Sequence, residues 1–339
     1  FYMIKSGFII MLVLIVMNGT ECLSQTIASR IMREQADSFL RMMPDSLQFY
    51  QAQAVARAIE GDYSFLKEVR SVRDKYPQIS DNVSVKDLSS SLRLYEPMGT
   101  GERQLPLLIY FHGGGWTFGS INSCGRFCDA MAATGKMKVM AVNYRLAPEN
   151  PYPSGYVDCI NSVKYAIDNC YLLGINPNSI SVGGDSSGGN LAIATALSSE
   201  CVGKIASLVL FYPVTKAFAD NSLSWNKYAK GYGLDAFLME QFNKAYAPQI
   251  PSGVPQIDVG MASSAQLECL PRTLLIAAGR DILRDQGIEF SNKLSADKIQ
   301  RIEFSDAVHL FITVPGQEKA FRSSVAIASE FITTVKSEY

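Results

Sequence analysis

The chain offers one serine set for nucleophilic chemistry and only two histidines that could serve it. Ser186 lies in Gly183-Gly184-Asp185-Ser186-Ser187-Gly188-Gly189, after the alternating run Ser179-Ile180-Ser181-Val182 and before the small-residue stretch from Asn190 to Leu197. A strand, a sharp turn and a helix in that order lift a serine hydroxyl out of a sheet and set it at a helix N-terminus, whose free N–H groups point where an oxyanion would form. Gly184 and Gly188 leave room for the bend. A serine hydroxyl is a weak nucleophile near neutral pH, so the turn makes chemical sense only beside a base and an acid that orients it.

His112 begins His112-Gly113-Gly114-Gly115-Trp116 directly after an apolar run, and those glycines offer backbone N–H groups suited to an oxyanion hole. His309, in Ala307-Val308-His309-Leu310-Phe311, is then the base. For the acid, Gly279-Arg280-Asp281-Ile282-Leu283-Arg284-Asp285 presents two carboxylates. Spacing alone admits either. Asp281 stands closer to the end of the preceding strand, a more rigid platform than a helix side from which to hold an imidazole, and is preferred on that ground.

These residues need a sheet to bring them together. Pro106 to Phe111 is a continuous apolar run, and similar runs recur at Lys138 to Tyr144, Ser179 to Val182, Ser207 to Tyr212, Thr273 to Ala278 and Gln300 to Phe304. Continuous rather than alternating runs belong to a sheet covered on both faces. Val83 to Val85 and Leu92 to Tyr95 read as an opening strand pair, and helices are expected at Cys124 to Thr134, Tyr156 to Leu173, Asn190 to Ser199, Asp285 to Leu294 and Glu318 to Val335. The alternation predicts a mostly parallel α/β sheet flanked by helices. Two regions stand outside it. Thr26 to about Tyr76 has helical spacing interrupted at Pro44 and Gly61, and a long aromatic insertion separates Pro213 from Leu270. Residues 25–80 and about 215–267 are expected to form a helical cap, with residues 81–339 as the catalytic domain.

Composition narrows the function. The 339 residues are 47% hydrophobic, enough for a sizeable core, and 31 Lys plus Arg against 32 Asp plus Glu leave no basic excess for nucleic acid. Lys5 precedes the uncharged run from Phe8 to Met17, followed by small residues. This reads as a signal peptide over residues 1–24, cut near Gln25, and hence as an exported protein; a membrane anchor is the alternative, weakened because a span needs about 20 apolar residues. Six cysteines remain after Cys22, and the Cys124/Cys128 pair has no second pair with which to hold zinc. Buried free thiols are expected.

Together, His112-Gly113-Gly114-Gly115, Tyr144-Arg145-Leu146-Ala147-Pro148-Glu149, Gly184-Asp185-Ser186-Ser187-Gly188-Gly189, Asp281-Ile282-Leu283-Arg284-Asp285 and His309-Leu310-Phe311 resemble the hormone-sensitive-lipase-like family of α/β-hydrolases. Ile282 stands where that family usually has proline and Leu310 where it usually has glycine. The resemblance implies an α/β-hydrolase fold and hydrolysis of small-molecule carboxylic esters of short to medium acyl chain, without a cofactor. It also implies a catalytic triad of Ser186, Asp281 and His309, in the chain order of the fold. An oxyanion hole from the N–H groups of Gly113, Gly114 and Ser187 is expected with it. Tyr144, Arg145 and Glu149 are expected to organise the loop under the glycine run. The same triad serves an amidase or a sugar acetyl esterase, and a non-catalytic binding module such as the plant gibberellin receptor shares the fold without the histidine. A homodimer is left open.

Overall fold

The computed structural model describes residues 25–101, 103–218, 220–249 and 253–334. The expected signal segment, residues 1–24, lies outside them. Three helices come first: α1 (25–42), α2 (Leu47–Ile59) and α3 (Ser64–Arg73). Strands and helices then alternate as β1 (Val83–Asp87), β2 (Leu92–Pro97), β3 (Leu105–Phe111), α4 (Gly125–Ala132), β4 (Lys138–Val142), α5 (Ser154–Asp168) and α6 (Cys170–Leu173). Next come β5 (Ile175–Asp185), α7 (Ser187–Leu197) and β6 (Ser207–Phe211). After these the chain forms α8 (Leu223–Lys227), α9 (Ala236–Tyr246) and α10 (Ser264–Glu268), then β7 (Arg272–Arg280), α11 (Arg284–Ser291), β8 (Ile299–Val308) and α12 (Glu318–Thr333).

One eight-stranded sheet runs in the order β1-β2-β4-β3-β5-β6-β7-β8. The β1–β2 and β2–β4 pairings are antiparallel and the rest are parallel. The continuous apolar runs are explained by burial on both faces. Along β3, Leu107, Ile109 and Phe111 enter the core on one side while Leu108 and Tyr110 enter the core on the other. Strand β6 divides in the same way, with Leu208 and Leu210 opposite Val209 and Phe211. Burying one such side chain contributes roughly 1.5–3 kcal/mol, and the strands bury them on both faces.

Three elements depart from the sequence reading. The helix expected from Tyr156 to Leu173 is interrupted at Asn169 and ends on Gly174 at φ 57, a left-handed cap that glycine accepts without strain. Strand β5 starts earlier than its apolar run, because Asn176 is half-buried, Pro177 and Asn178 are exposed, and none of the three extends the apolar pattern. Strand β8 continues past Phe304 to Val308, where Val308 pairs with Arg280. That extension sets the next residue, His309, beside the end of β7.

The helices outside the alternation pack on one another. Helix α2 lies along α9, the rings of Phe49 and Phe237 stack at 6.1 Å, and the Gln48 amide holds the Gly233 carbonyl (3.1 Å) and the Asp235 N–H (3.2 Å). Cys124, Cys128, Cys159 and Cys201 are buried free thiols. Among the described residues, no helix is long and apolar enough to cross a membrane.

Candidate active site

The C-terminal ends of the parallel strands β3, β5, β7 and β8 lie on one edge of the sheet, and each delivers one part of the site. Past β5, Ser186 takes φ 53 and ψ −118, a left-handed conformation rare for a residue with a side chain. Its N–H donates to the Phe211 carbonyl (2.9 Å), and its own carbonyl accepts from Val214 (3.0 Å) and Asn190 (3.2 Å). A Cβ at Gly188 would overlap the Phe111 carbonyl, so α7 abuts the end of β3 only because that residue is glycine. Asp185 is buried, where it accepts from the Tyr110 hydroxyl (2.9 Å) and the Gly113 N–H (2.9 Å). Burial pushes its carboxyl up to about 6, against the pull of those two hydrogen bonds.

His309 and Asp281 are 1% exposed and Ser186 6%, so the three are shielded from bulk water. His309 Nδ1 lies 2.6 Å from Asp281 Oδ2. A carboxylate only accepts, so Nδ1 carries the proton and Nε2 is left to accept from Ser186 Oγ at 3.1 Å. The other Asp281 oxygen accepts from the Leu283 N–H (3.0 Å), fixing the carboxylate plane. Asp285 is placed elsewhere: it accepts from the Ser224 N–H (2.8 Å) and pairs with Arg284 (2.9 Å), anchoring α8 to α11. The sequence reading gave no role to Gln317, yet its buried amide accepts from the Val308 N–H (3.0 Å) and donates to the carbonyls of Val308 (3.2 Å) and His309 (3.0 Å). No local pattern marks that glutamine. Tyr212, at φ 34, sets its ring 4.4 Å from the imidazole.

The glycine loop past β3 requires one correction. The Gly113 N–H, expected in an oxyanion hole, is committed to Asp185, whereas the described residues offer no acceptor to the N–H groups of Gly114, Gly115 or Ser187. Gly114 sits at φ 119 with the Phe118 backbone against it. His112 is buried, stacked on Tyr144 at 4.3 Å, and its Nδ1 donates to the Gly113 carbonyl (2.9 Å). Burial lowers it to about 4, so it stays neutral and braces the loop. The Tyr144 hydroxyl donates to the His112 carbonyl (2.7 Å). Arg145 instead pairs with Asp158 (2.8 Å), and Glu149 with Arg70 of α3 (2.6 Å). Above the site, Gly233 lies against His309 and the Phe242 ring of α9 lies against Gly115.

Residues 108–313 match the family model of the alpha/beta hydrolase fold. An AB hydrolase superfamily protein of Schizosaccharomyces pombe is 34% identical over 60% of this chain and 62% of its own length. The chain thus spans about 62% of the length of that relative and of a mimivirus α/β hydrolase it also matches. Carboxylesterase NlhH of Mycobacterium tuberculosis is 30% identical over 78% of this chain and 85% of its own. Among solved structures, carboxyl esterase 2 of Tuber melanosporum superposes with a TM-score of 0.71 at 25% identity, covering 83% of this chain and 96% of the other.

Proposed function

Since the chain belongs to the hormone-sensitive-lipase-like family of α/β-hydrolases, we propose that it hydrolyses carboxylic esters through an acyl-enzyme on Ser186. The observation that carries this reading is the hydrogen-bond chain Ser186–His309–Asp281 at a water-poor sheet edge. Ser186 Oγ attacks the ester carbonyl while His309 Nε2 takes its proton, and Asp281 holds the tautomer and stabilises the imidazolium. The oxyanion is received by the free N–H groups of Gly114, Gly115 and Ser187, each contributing about 3 kcal/mol to transition-state stabilisation. His309 then returns its proton to the leaving alcohol, and the same imidazole activates the water that releases the acid.

Helices α2 and α9 with the segment between α8 and α9 act as a cap, and the Phe242 ring beside Gly115 limits the acyl group to short or medium length. A panel of nitrophenyl esters of increasing chain length, with one anilide and one acetylated sugar, tests the reading. Rates should be highest on short esters. Faster turnover of the anilide would make the protein an amidase, and the absence of any turnover would make it a binding module.

A further inference from the structure

We propose that helix α1 is a clasp that positions the acid–base pair, acting through Asp37 and Arg33 on the residues that flank Asp281 and His309. The proposal rests on the triad reading above and adds a control that lies outside the triad.

Arg280 immediately precedes Asp281, and Asp306 stands three residues before His309. The Arg280 Nε donates to the Asp306 carbonyl (3.0 Å), joining the two strand ends, and its Nη1 donates to Asp37 on α1 (2.7 Å). The Asp306 carboxylate, with its side chain only 8% exposed, receives Arg33 (2.6 Å) and the Ser29 hydroxyl, also from α1. Ser29, Arg33 and Asp37 are spaced by four, so they form one stripe along the helix. That stripe lands on the side chains of Arg280 and Asp306, the residues next to the acid and just ahead of the base.

A second set of contacts continues along the loop after His309. Ala36 and Phe39 pack with Leu310 and Val314, Phe39 lies against Gly316, and Gln35 accepts from the Lys319 N–H (2.8 Å). Leu310 is held there at φ 73, a left-handed conformation a leucine avoids unless its surroundings impose it. Helix α1 therefore touches the chain on both sides of the histidine. The polar contacts are partly open to solvent, and ion pairs of that kind add little to global stability. Their consequence is geometric, and small misplacements of catalytic groups cost rate far more than they cost stability.

The test uses the full chain with Asp37→Ala, Arg33→Ala and the double variant, assayed for kcat and KM on a short nitrophenyl ester. Labelling of Ser186 by a fluorophosphonate, followed by intact mass, is measured alongside. The expected result is a kcat about ten-fold lower in each single variant, with KM within about two-fold and circular dichroism unchanged. Labelling should slow in parallel, and Asp37→Glu should recover part of the rate. Arg30→Ala, which removes an exposed pair with Glu34 on the same helix, should leave all of these values as they were. The clasp is overturned if the double variant keeps kcat and labelling within about two-fold of the parent, or if KM and acyl preference change while kcat does not. A parent protein that is labelled at Ser186 but turns over no ester would sink the esterase reading, while the labelling rates would still decide the clasp.

Discussion

On the side of Ser186, the ends of β3 and β5 hold its main chain by backbone contacts, glycine against carbonyl with N–H groups and carbonyls from β6 and the segments that follow β5 and β6, and the Asp185 carboxylate ties in the glycine loop. On the side of Asp281 and His309, β7 and β8 end in residues held by side chains drawn from distant parts of the chain, among them Gln317, Arg280 and the stripe on α1. A backbone-built site tolerates no change of residue at its tight points but needs no helper. A side-chain-built site is assembled from many separable contacts, each of which can be weakened without collapse. Substitutions at the tight glycine positions of the first side are therefore expected to act all or none, and those among the supporting side chains of either side by degrees.

The largest effects are expected at the groups proposed to react. Ser186→Ala should leave a folded protein whose turnover falls by about four or more orders of magnitude, and Asp281→Asn should fall by on the order of 10⁴ through the wrong imidazole tautomer. Asp285→Asn should change turnover by less than about three-fold, since its carboxylate anchors α8 and a partly exposed contact is worth about 1 kcal/mol or less. Measuring the three at one pH, with circular dichroism as the fold control, would reverse the assignment if Asp285→Asn proved the slower of the two aspartate variants.

Asp185 probes the backbone-built side. Asp185→Ala would leave the Gly113 N–H and the Tyr110 hydroxyl without their acceptor, each buried loss costing about 1–3 kcal/mol, and should lower kcat with KM less affected. Asp185→Asn keeps an acceptor oxygen and should retain most of the activity. The pH dependence gives a sharper reading. With its carboxyl raised by burial to about 6 from an ordinary 3.8, the folded protein takes up a proton before the unfolded chain does. Asp185 therefore makes the fold more stable as pH falls through that window, and the penalty of its buried charge is fully present above it. Denaturation midpoints of the parent and Asp185→Asn should converge as pH drops from above about 6 to below 3.8, the interval between the folded and the unfolded values. A difference that stays constant would mean the charge is not penalised in the fold.

The two sides also differ in how far they were legible. The glycine bend around Ser186 leaves a local mark because the steric demand falls on residues next to one another, and the apolar runs marked the strands for the same reason. The glycine run after β3 was visible too, but not which of its N–H groups were spoken for, since that depends on how the Asp185 side chain turns. Gln317 and Asp306 were not legible. Ser29 and Asp306 meet across 277 positions, a separation no periodicity records. Gln317→Ala, which frees two carbonyls and one N–H around His309, should cost kcat about ten-fold while leaving Ser186 reactive enough to be labelled. An unchanged kcat would show that the β8 extension alone holds the histidine.

The smallest expected effect lies at Leu310, where the two kinds of construction meet, because the residue has both a strained backbone and a packed side chain. At most positions alanine is the safer truncation, since glycine adds about 0.5–1 kcal/mol of unfolded-chain entropy. At φ 73 the order should invert. An alanine there keeps a left-handed conformation costing about 1 kcal/mol or more for a residue with a Cβ, and it loses the packing against Phe39 as well. Glycine loses the same packing but sheds the strain. Leu310→Gly is therefore expected to lower the free energy of unfolding by about 1 kcal/mol and Leu310→Ala by more, read from chemical denaturation of both variants beside the parent. An alanine variant more stable than the glycine variant would mean that the loop relaxes to an ordinary backbone once the leucine is gone, and that packing against α1, rather than the turn itself, imposes the left-handed conformation beside His309.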